Sequence, residues 1–318
     1  MLNNEIILET KHLTRKFQEA DHRTLVACDD VNLKIYKGKT LGLVGESGCG
    51  KSTLMRMLLL LDRPTQGQIL FHGRDITKLK GEELRRHRQN IQMVFQDPSA
   101  SFNPKMKIRD IICEPLLNFH RIKKSEKEDT ARKLLEMVDL PADFADRYPH
   151  SMSGGQRQRI AIARAVALKP EVIIMDEATC ALDVSVQKTI IELIVRLQKK
   201  ENIAIGFIAH DLGLIQSFAH QIAVMYLGNV AEILPAENIQ VNALHPYTKA
   251  LLGAVFDLNM DFSKKIECID SEIPSPLDIP PGCPFQSRCE HCMAICKEKR
   301  PQLKNVSEDH QIACHIYS

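Results

Sequence analysis

The chain has 318 residues, of which 44% are hydrophobic and 26% are charged, and its 42 basic and 40 acidic side chains leave a net charge of +2. This length allows one large α/β domain with an extension, or two modest domains. The composition is ordinary for a globular protein, and so small a net charge gives no electrostatic reason to expect nucleic acid as a partner.

No run of the sequence is apolar for long enough to predict a membrane span. The densest stretch, residues 54–61, is interrupted by Arg56 and ends before Asp62, whereas a span needs about 20 apolar residues. Residues 1–12 have neither a basic region nor an apolar core, so they do not resemble a signal peptide. We therefore expect the protein in the cytoplasm, with any membrane role carried by other subunits.

Short apolar runs separated by turns predict an α/β fold. Residues 40–44 form one such run, which leads into glycines and then into a helix that begins at Lys51. The unbroken runs at 172–175 and 203–208 are typical of central parallel strands covered on both faces. Further strands are predicted at residues 6–8, 31–35, 69–71 and 91–95, and a helical insertion is predicted at about residues 105–150.

Residues 45–52, GESGCGKS, match the pattern G-x-x-x-x-G-K-[ST] of a phosphate-binding loop. Glycines let the backbone wrap closely around phosphates, so that successive N–H groups donate to them, and the start of the following helix favours anions. In such a loop Lys51 neutralises phosphate charge and the Ser52 hydroxyl ligates Mg²⁺. The alternative is a glycine-rich turn that matches by chance, and the strand before it and the helix after it argue against that.

An acidic pair stands at the end of the apolar run 172–175. Asp176 can hold Mg²⁺ there, and Glu177 beside it can orient or deprotonate an attacking water. Taken alone, such a pair is more often a helix cap or a solvent-facing turn. Together with the phosphate loop, it predicts a site that hydrolyses ATP.

The segment 152–159, MSGGQRQR, has two glycines behind a serine at the start of a predicted helix. Exposed backbone N–H groups at a helix start form a second anion site, and this one has no obvious use inside its own subunit. The alternative is a capped helix and nothing more, because Ser153 is a good N-cap.

With these motifs the sequence resembles the ATP-binding subunits of ABC transporters, over essentially its whole length. The resemblance implies a P-loop NTPase fold: an ABC ATPase core with a RecA-like parallel sheet, an antiparallel β subdomain and a helical subdomain, followed by a C-terminal cysteine-rich extension. It places the nucleotide-binding domain at residues 1–240, its helical subdomain at about 97–157 and the extension at 241–318. In that family two subunits form a head-to-tail dimer, in which SGGQ closes over the nucleotide of the opposite subunit.

The resemblance also assigns roles to single residues. Gln96 corresponds to the Q-loop glutamine that touches Mg²⁺ and the attacking water, His210 to the H-loop histidine that contacts the γ-phosphate, and Asp183 to the D-loop aspartate. The catalytic candidates are Glu177, His210 and Gln96, and the Mg²⁺ candidates are Ser52, Gln96 and Asp176. The candidates for binding ATP are Gly45, Ser47, Gly48, Cys49, Gly50, Lys51, Ser52, Thr53, Phe17, Ser153, Gly155 and Asp183, of which Ser153 and Gly155 serve the partner's nucleotide.

Some positions are less well defined or depart from the family pattern. Phe17 is the candidate for stacking on adenine, with a core phenylalanine as the alternative. Met152 stands where the family usually has Leu or Phe, Ala178 where Pro is common, and Cys180 where Ser is usual. None of these changes removes a contact to phosphate, metal or water, so we expect a competent site.

Beyond the ATPase core, residues 245–252 and 273–285 resemble the C-terminal region of oligopeptide, dipeptide and nickel transporter ATPases. The resemblance implies an ATPase that drives peptide import, with an importer of nickel or another small solute, or a soluble non-transport ABC ATPase, as the alternatives. It implies a peripheral location at the cytoplasmic face of the cell membrane. The expected partners are a second ABC ATPase subunit in a heterodimer, two integral-membrane permease subunits and an extracytoplasmic solute-binding protein.

Ten cysteines are many for this chain, and they cluster near its C-terminus. Cys283, Cys289, Cys296 and Cys314 have the spacing C-x5-C-x6-C-x17-C, and four thiolates suit either zinc or an iron–sulfur cluster. A disulfide framework is not expected in a reducing cytosol. The subfamily resemblance implies a [4Fe–4S] cluster, with Zn²⁺ as the alternative and Cys292 as an alternative ligand.

Two other interpretations of these cysteines stay open. In the first, the cysteines are a handful of reduced, buried thiols. In the second, they form a redox-sensing centre through which the chain mainly regulates ATP hydrolysis. Outside the cluster, four further cysteines are expected to be isolated structural residues. They are Cys28, Cys49, Cys113 and Cys180.

Overall fold

The structure is a computed structural model that describes residues 5–18, 23–209, 211–254, 274–275 and 277–317. Its strands, in chain order, are β1 (Ile6–Gln18), β2 (Thr24–Tyr36), β3 (Thr40–Val44), β4 (Gln66–Phe71), β5 (Arg74–Asp75), β6 (Ile91–Val94), β7 (Val172–Asp176), β8 (Ala204–Ile208), β9 (Gln221–Tyr226), β10 (Asn229–Pro235), β11 (Lys304–Ser307) and β12 (His310–Ile312). Its helices are α1 (Lys51–Leu58), α2 (Gly81–His87), α3 (Pro98–Ser101), α4 (Ile108–Asn118), α5 (Lys127–Met137), α6 (Gly154–Val166), α7 (Val184–Glu201), α8 (Leu212–Gln216), α9 (Ile239–Asn242), α10 (Pro246–Gly253) and α11 (Ala294–Glu298).

The chain divides into two compact units. The first consists of Met1–Tyr36, Thr40–Lys78 and Phe207–Ser318, and the second of Lys37–Lys39 and Leu79–Gly206. The boundary expected at residue 240 falls within the first unit, and the sequence domains stay a prediction.

The first unit contains an antiparallel sheet with the strand order β2-β1-β4-β5. Strands β1 and β2 are each 13 residues long, longer than the apolar runs that predict them. They are longer because their pairing continues past the buried pair Leu8 and Ile35 as far as Gln18 opposite Thr24.

A second, mixed group of strands in the same unit carries the phosphate loop. Strand β3 pairs in parallel with β9, whereas β9, β10, β12 and β11 pair antiparallel in that order. All five residues of β3 are buried, as its unbroken apolar run predicts. On its other side, the Ala209 N–H donates to the Leu43 carbonyl at 3.2 Å. The loop at 45–50 therefore leaves the carboxyl end of a strand that has neighbours on both sides.

In the second unit, β6 pairs in parallel with β7, from Ile91 opposite Val172 to Val94 opposite Met175. This pairing confirms two of the strands expected from apolar runs. Strand β6 ends one residue earlier than expected, and Phe95 after it is 44% exposed.

The helical character expected for residues 105–150 is confirmed by α4 and α5. Asp139, just after α5, ties two other helices of this unit together. Its carboxylate accepts from Arg159 of α6 at 3.1 Å and from Arg196 of α7 at 2.8 Å. These hydrogen bonds, the one from Arg196 foremost, lower the pKa of the Asp139 carboxyl. Asp139 thus helps to orient α6, the helix that follows Ser153.

Within the part of the chain that the structure describes, no helix combines the length and the apolar character needed to cross a membrane.

Candidate nucleotide-binding site

The predicted phosphate loop connects β3 to α1, and its glycines adopt conformations that favour glycine. Gly45 has φ 151° and Gly50, the N-cap of α1, has φ 102°. A side chain at Gly45 would collide with the Met225 carbonyl oxygen, and its Cβ would lie 2.8 Å from the Cys49 sulfur. Ser47 and Gly48, at the crest of the loop, are exposed. The loop therefore has the strand–loop–helix context and the exposed backbone that phosphate binding requires.

Lys51 lies folded back over this loop. Its side chain is buried, and Nζ donates to the Gly45 carbonyl at 2.7 Å and to the Glu46 carbonyl at 2.9 Å. Nζ is also 3.6 Å from the Cys49 sulfur. Ser52, the next residue, is exposed. The ammonium group is thus positioned by the backbone of the loop it serves.

Two of the cysteines expected to be isolated are in fact close to each other. Cys28 and Cys49 are both buried, and the Cys28 sulfur is 3.6 Å from the Gly50 carbonyl. Burial, together with the neighbouring Cys49, raises the pKa of Cys28 to about 12. Cys180 is exposed, and its role as an isolated structural residue stays a prediction. The proximity of Cys28 and Cys49 follows from tertiary contacts that residue type alone does not reveal.

Phe17 is half-buried near the end of β1. The guanidinium of Arg15 lies 4.3 Å from the centre of its ring, a cation–π contact. Phe17 is therefore not a core residue, and its role toward adenine stays a prediction.

Glu46, the second residue of the loop, is held by the C-terminal part of the chain. Its carboxylate accepts two hydrogen bonds from Arg288, Nη1 to Oε2 at 2.8 Å and Nη2 to Oε1 at 2.9 Å. Its N–H donates to the Tyr247 hydroxyl at 3.0 Å. Neither Glu46 nor Arg288 is among the sequence-predicted site residues, because 242 positions separate them. Glu46 stands at a position that the loop motif leaves variable, and Arg288 lies outside the motifs.

The segment 245–252 that carries the family resemblance supplies this contact. His245 is the N-cap of α10, and its Nδ1 accepts from the Tyr247 N–H at 3.0 Å. Burial lowers the pKa of His245 to about 4, which keeps the ring neutral and able to accept. The Tyr247 ring packs 4.6 Å from Tyr226 and 5.3 Å from Phe285. The motif thus builds an aromatic support behind the loop.

In the second unit, the acidic pair stands where the sequence predicts. Strand β7 ends at Asp176, and Glu177 follows with φ 46°, a left-handed conformation that non-glycine residues rarely adopt. The Glu177 carbonyl accepts from the Cys180 N–H at 3.1 Å, which closes the turn. A strained residue of this kind is often found at a functional site.

The SGGQ segment begins α6, as expected. Ser153 is the N-cap, and its Oγ and Gln156 form a reciprocal capping box. Gly154 lies against Leu182, and a Cβ on Gly155 would be 2.6 Å from a methyl group of Val186. The structure therefore brings the start of α6 together with the turn that contains Asp183, which is the N-cap of α7.

The remaining predicted residues are placed as follows. Gln96 is exposed just after β6, and Asp183 is exposed at the start of α7. Met152 is buried, as its apolar character requires. His210 lies outside the described residues.

The cysteine-rich segment contains four thiols that could serve as metal donors. Cys283, Cys296 and Cys314 are buried and Cys289 is half-buried, and the Cys283 N–H donates to the Cys296 carbonyl at 2.8 Å. Burial foremost, with the neighbouring thiols adding to it, raises the pKa of Cys283 to about 11 and also raises that of Cys289 and of Cys314. The donors suit iron–sulfur or zinc chemistry in kind, but among the described residues no three side chains close around a metal ion.

A cleft of about 410 Å³ in the first unit is lined by residues other than those of the phosphate loop. Its lining includes Asp29, Tyr226, Phe285 and Arg300 and none of residues 45–53. Concavity alone would select this cleft as a ligand site. The glycine backbone and the buried lysine of the phosphate loop make the loop, and not this cleft, the better binding site for a triphosphate.

Comparison with known proteins identifies the family of this chain. Residues 28–180 match the family described as ABC transporter, and residues 231–296 match the family described as oligopeptide/dipeptide transporter, C-terminal region. The oligopeptide transport ATP-binding protein AppF of Bacillus subtilis is 45% identical over 99% of this chain and 99% of its own. The di/tripeptide transport ATP-binding protein DppF of Pseudomonas aeruginosa is 40% identical over 98% of each chain.

Solved structures give the same result for the fold. The ATP-binding cassette MJ0796, in a dimeric post-hydrolysis state bound to ADP and Pi, is 28% identical with a TM-score of 0.66, over 73% of this chain and 100% of its own. The cbiO1 protein of Clostridium perfringens, part of the transporter complex cbiONQ, is 26% identical with a TM-score of 0.66, over 75% of this chain and 92% of its own. The chain therefore belongs to the ATP-binding subunits of ABC transporters, in the oligopeptide/dipeptide transporter family, and is an ABC-type ATPase.

Proposed function

We propose that this protein hydrolyses ATP to drive the import of oligopeptides or dipeptides through partner permeases. The observation that carries the proposal is the match of residues 231–296 to the C-terminal region of oligopeptide and dipeptide transporters, next to a match to the ABC ATPase at 28–180. Relatives that align over nearly the whole chain are named for oligopeptide and for di/tripeptide transport.

The phosphate loop binds the triphosphate of ATP. The backbone N–H groups around Ser47 and Gly48 donate to phosphate oxygens, and the exposed position of both residues supports this role. Lys51 exchanges its hydrogen bonds to the Gly45 and Glu46 carbonyls for hydrogen bonds to phosphate oxygens. Its ammonium group then neutralises part of the phosphate charge. Cys49, Gly50 and Thr53 complete the loop, and Phe17 stacks on adenine.

Mg²⁺ belongs with this nucleotide. Ser52, Gln96 and Asp176 would hold it through hydroxyl, amide and carboxylate oxygens, which are the donors Mg²⁺ prefers. When bound, it supplies positive charge against the phosphate oxygens.

Hydrolysis requires a base and a correctly placed water. Glu177 accepts the proton of the attacking water, and Gln96 and His210 orient the water and the γ-phosphate. The left-handed backbone of Glu177 supports a functional role, because such strain persists only where the surroundings enforce it.

Each site is completed by a second ATPase subunit. Ser153 and Gly155, with the exposed Asp183 next to them, contact the nucleotide of the partner across the interface. The exposed positions of Ser153 and Gly154 at the start of α6 are the physical support for this role, and the MJ0796 cassette, which was solved as a dimer, offers the structural precedent.

The assembly is an importer at the cytoplasmic face of the membrane. It consists of this chain, a second ATPase subunit in a heterodimer, two integral-membrane permeases and an extracytoplasmic solute-binding protein. The region that follows Gln96 carries the closing and reopening of the ATPases to the permeases.

The C-terminal cysteines hold a [4Fe–4S] cluster, with Zn²⁺ as the alternative. The proposal is supported by four thiols near enough to influence one another's pKa, three of them buried. A cluster is larger than a single ion, so its ligands need not close around one point. Iron, sulfide and zinc analysis of anaerobically purified protein decides between the two metals, and a metal-free protein would refute both.

Peptide uptake in reconstituted membranes tests the proposed function. The complete transporter is placed in proteoliposomes with its binding protein, ATP is supplied on the ATPase side, and uptake of labelled di- to pentapeptides is measured beside Ni²⁺. We expect ATP-dependent peptide uptake that Lys51→Ala abolishes. Uptake of Ni²⁺ but not peptides, or peptide uptake that Lys51→Ala leaves intact, would contradict the proposal.

A further inference from the structure

We propose that Arg288 and Tyr247 are positioning residues for ATP binding, which act by fixing Glu46 of the phosphate loop. The three residues are called here the Glu46 clamp. The proposal rests on the proposed role of residues 45–53 in binding the triphosphate, and it adds a dependence of that loop on the C-terminal region of the chain.

The contact between Arg288 and Glu46 has the geometry of a strong ion pair. Two parallel N–H···O bonds of 2.8 and 2.9 Å join the guanidinium to the carboxylate, which is the bidentate arrangement. The Arg288 side chain is 4% exposed and that of Glu46 is 20% exposed. Water and salt therefore screen this pair less than they screen a surface ion pair.

Glu46 is restrained at three polar groups. Its carboxylate is held by Arg288, and its N–H is held by the Tyr247 hydroxyl at 3.0 Å. Its carbonyl accepts from Lys51 Nζ at 2.9 Å and from the Cys49 N–H at 3.3 Å. A shift of Glu46 must therefore move the lysine and the turn that cradle the phosphates.

Arg288 is itself fixed by the cysteine-bearing segment. Its N–H donates to the Phe285 carbonyl at 3.1 Å, and its guanidinium donates to the Tyr226 hydroxyl at 3.4 Å. The Phe285 ring packs against Tyr226 and Tyr247 at 5.3 Å from each. Segment 283–296 and the aromatic support thus form one structure, and the clamp is the point at which it contacts the phosphate loop.

The clamp acts on ATP binding and not on the chemical step. Neither Arg288 nor Tyr247 is a candidate for touching the metal, the water or the γ-phosphate. Loss of the clamp lets the loop leave its binding geometry, so the binding-competent fraction falls and the apparent Kd rises. Once ATP is bound the loop is ordered again, and turnover of the bound complex is preserved.

The test compares variants of the clamp in the purified complete transporter. Arg288→Met and Glu46→Gln each remove the ion pair, Tyr247→Phe removes one hydroxyl and keeps the ring, and Arg288→Lys keeps the charge without the bidentate geometry. We measure the Kd of a fluorescent ATP analogue, and KM and kcat for ATP. Arg288→Met and Glu46→Gln are expected to raise Kd and KM about tenfold with kcat within about twofold, since charge-assisted hydrogen bonds are the strong ones.

The pattern across variants distinguishes positioning from general loss of stability. Arg288→Lys is expected between the wild type and Arg288→Met, and the double variant with Glu46→Gln is expected to be no worse than the worse single variant. Arg300→Met is the matched control, because Arg300 is another C-terminal arginine in an ion pair, with Asp29 outside the loop. It is expected to leave the Kd for ATP unchanged.

Three results would overturn the clamp. They are an unchanged Kd in both Arg288→Met and Glu46→Gln, additive effects in the double variant, or an equal loss of ATP affinity in Arg300→Met. Lys51→Ala separates this failure from failure of the loop assignment. If Lys51→Ala abolishes binding of the analogue while the clamp variants bind normally, only the clamp is wrong, and if Lys51→Ala also binds normally, the role of the loop is wrong.

Discussion

His245 shows how one buried side chain supports the ATP site at a distance. Its Nδ1 must carry no proton in order to accept a hydrogen bond from the Tyr247 N–H. Burial keeps the ring neutral because it lowers the pKa of His245 from 6.5 to about 4. Its backbone N–H and that of Leu244 are held by the fully buried Glu232, whose carboxylate also pairs with His310 at 2.8 Å. The resemblance motif at 245–252 is thus a hydrogen-bonded and aromatic support for the phosphate loop.

The lowered pKa of His245 predicts a loss of stability in mild acid. Below pH 6.5 the unfolded chain binds a proton at His245 that the folded chain refuses until about pH 4. The unfolded state therefore binds more protons in this window, and the free energy of unfolding falls as pH falls through it, by about 3 kcal/mol in all. Denaturant unfolding of the wild type and of His245→Asn, measured from pH 7 to pH 4, checks this.

Asparagine is the matched replacement, because it caps a helix well and its side-chain oxygen accepts from the same N–H. We expect a shallower pH dependence in His245→Asn than in the wild type. Parallel curves for the two proteins would show that His245 does not titrate in this way.

At the scale of single residues, the sequence predicts the features that depend only on residues close together in the chain. Gly45, Gly50 and Lys51 serve a motif whose needs lie within eight consecutive residues, so their placement in the loop follows from the pattern. The ion pair between Glu46 and Arg288 joins residues 242 positions apart. Only the folded chain brings them together, and no local pattern predicts it.

At the scale of elements, the start of α6 depends on close packing against α7. The glycines of SGGQ do more than expose N–H groups, because Gly155 leaves room for Val186 and Gly154 leaves room for Leu182. This second reason for glycine is not visible in the sequence, which suggests only an anion site or a capped helix. The capping box of Ser153 and Gln156, by contrast, is local and follows from the spacing of the two residues.

This packing predicts a rescue experiment. Gly155→Ala places a Cβ at 2.6 Å from a Val186 methyl group, and overpacking of this kind costs about 1–3 kcal/mol. Val186→Ala removes the methyl group, so the double variant is expected to be more stable than Gly155→Ala alone. Gly154→Ala, whose Cβ would be 3.3 Å from Leu182, is the milder control. Thermal and denaturant unfolding measure the order of stability.

The outcome that would refute this account of Gly155 is a double variant less stable than Gly155→Ala. The loss from removing a half-buried valine would then exceed the relief of the collision. Glycine at this position would be explained by its backbone alone.

Apolar runs in the sequence predict the positions of the strands better than their lengths. Strands β3, β6 and β7 lie within one residue of the predicted runs, because each is short and mostly apolar, and β3 and β7 are buried along almost their whole length. Strands β1 and β2 are much longer than predicted, since backbone pairing continues through polar residues that carry no apolar signal. Pairing partners, and not side-chain polarity, set their ends.

At the scale of the whole molecule, the first unit combines segments from both ends of the chain. The phosphate loop, β9, β10 and the C-terminal residues from 274 onward belong to this unit, although the sequence divides them into a nucleotide-binding domain and an extension. The sequence motifs give the family and the ATPase activity. They do not reveal that the C-terminal region contacts the loop, because that contact depends on tertiary structure.

The central claim is that this chain hydrolyses ATP with Glu177 as the base, in a site completed by a second ATPase subunit. The most direct measurement is made on Glu177→Gln in complex with the partner ATPase, by following ATP binding, phosphate release and dimer formation by sedimentation. We predict that the variant binds ATP as the wild type does, releases phosphate from this site at least 100-fold more slowly, since removal of a general base costs about 10²–10⁴ in rate, and accumulates an ATP-dependent dimer. Normal phosphate release from this site in the variant would contradict the account.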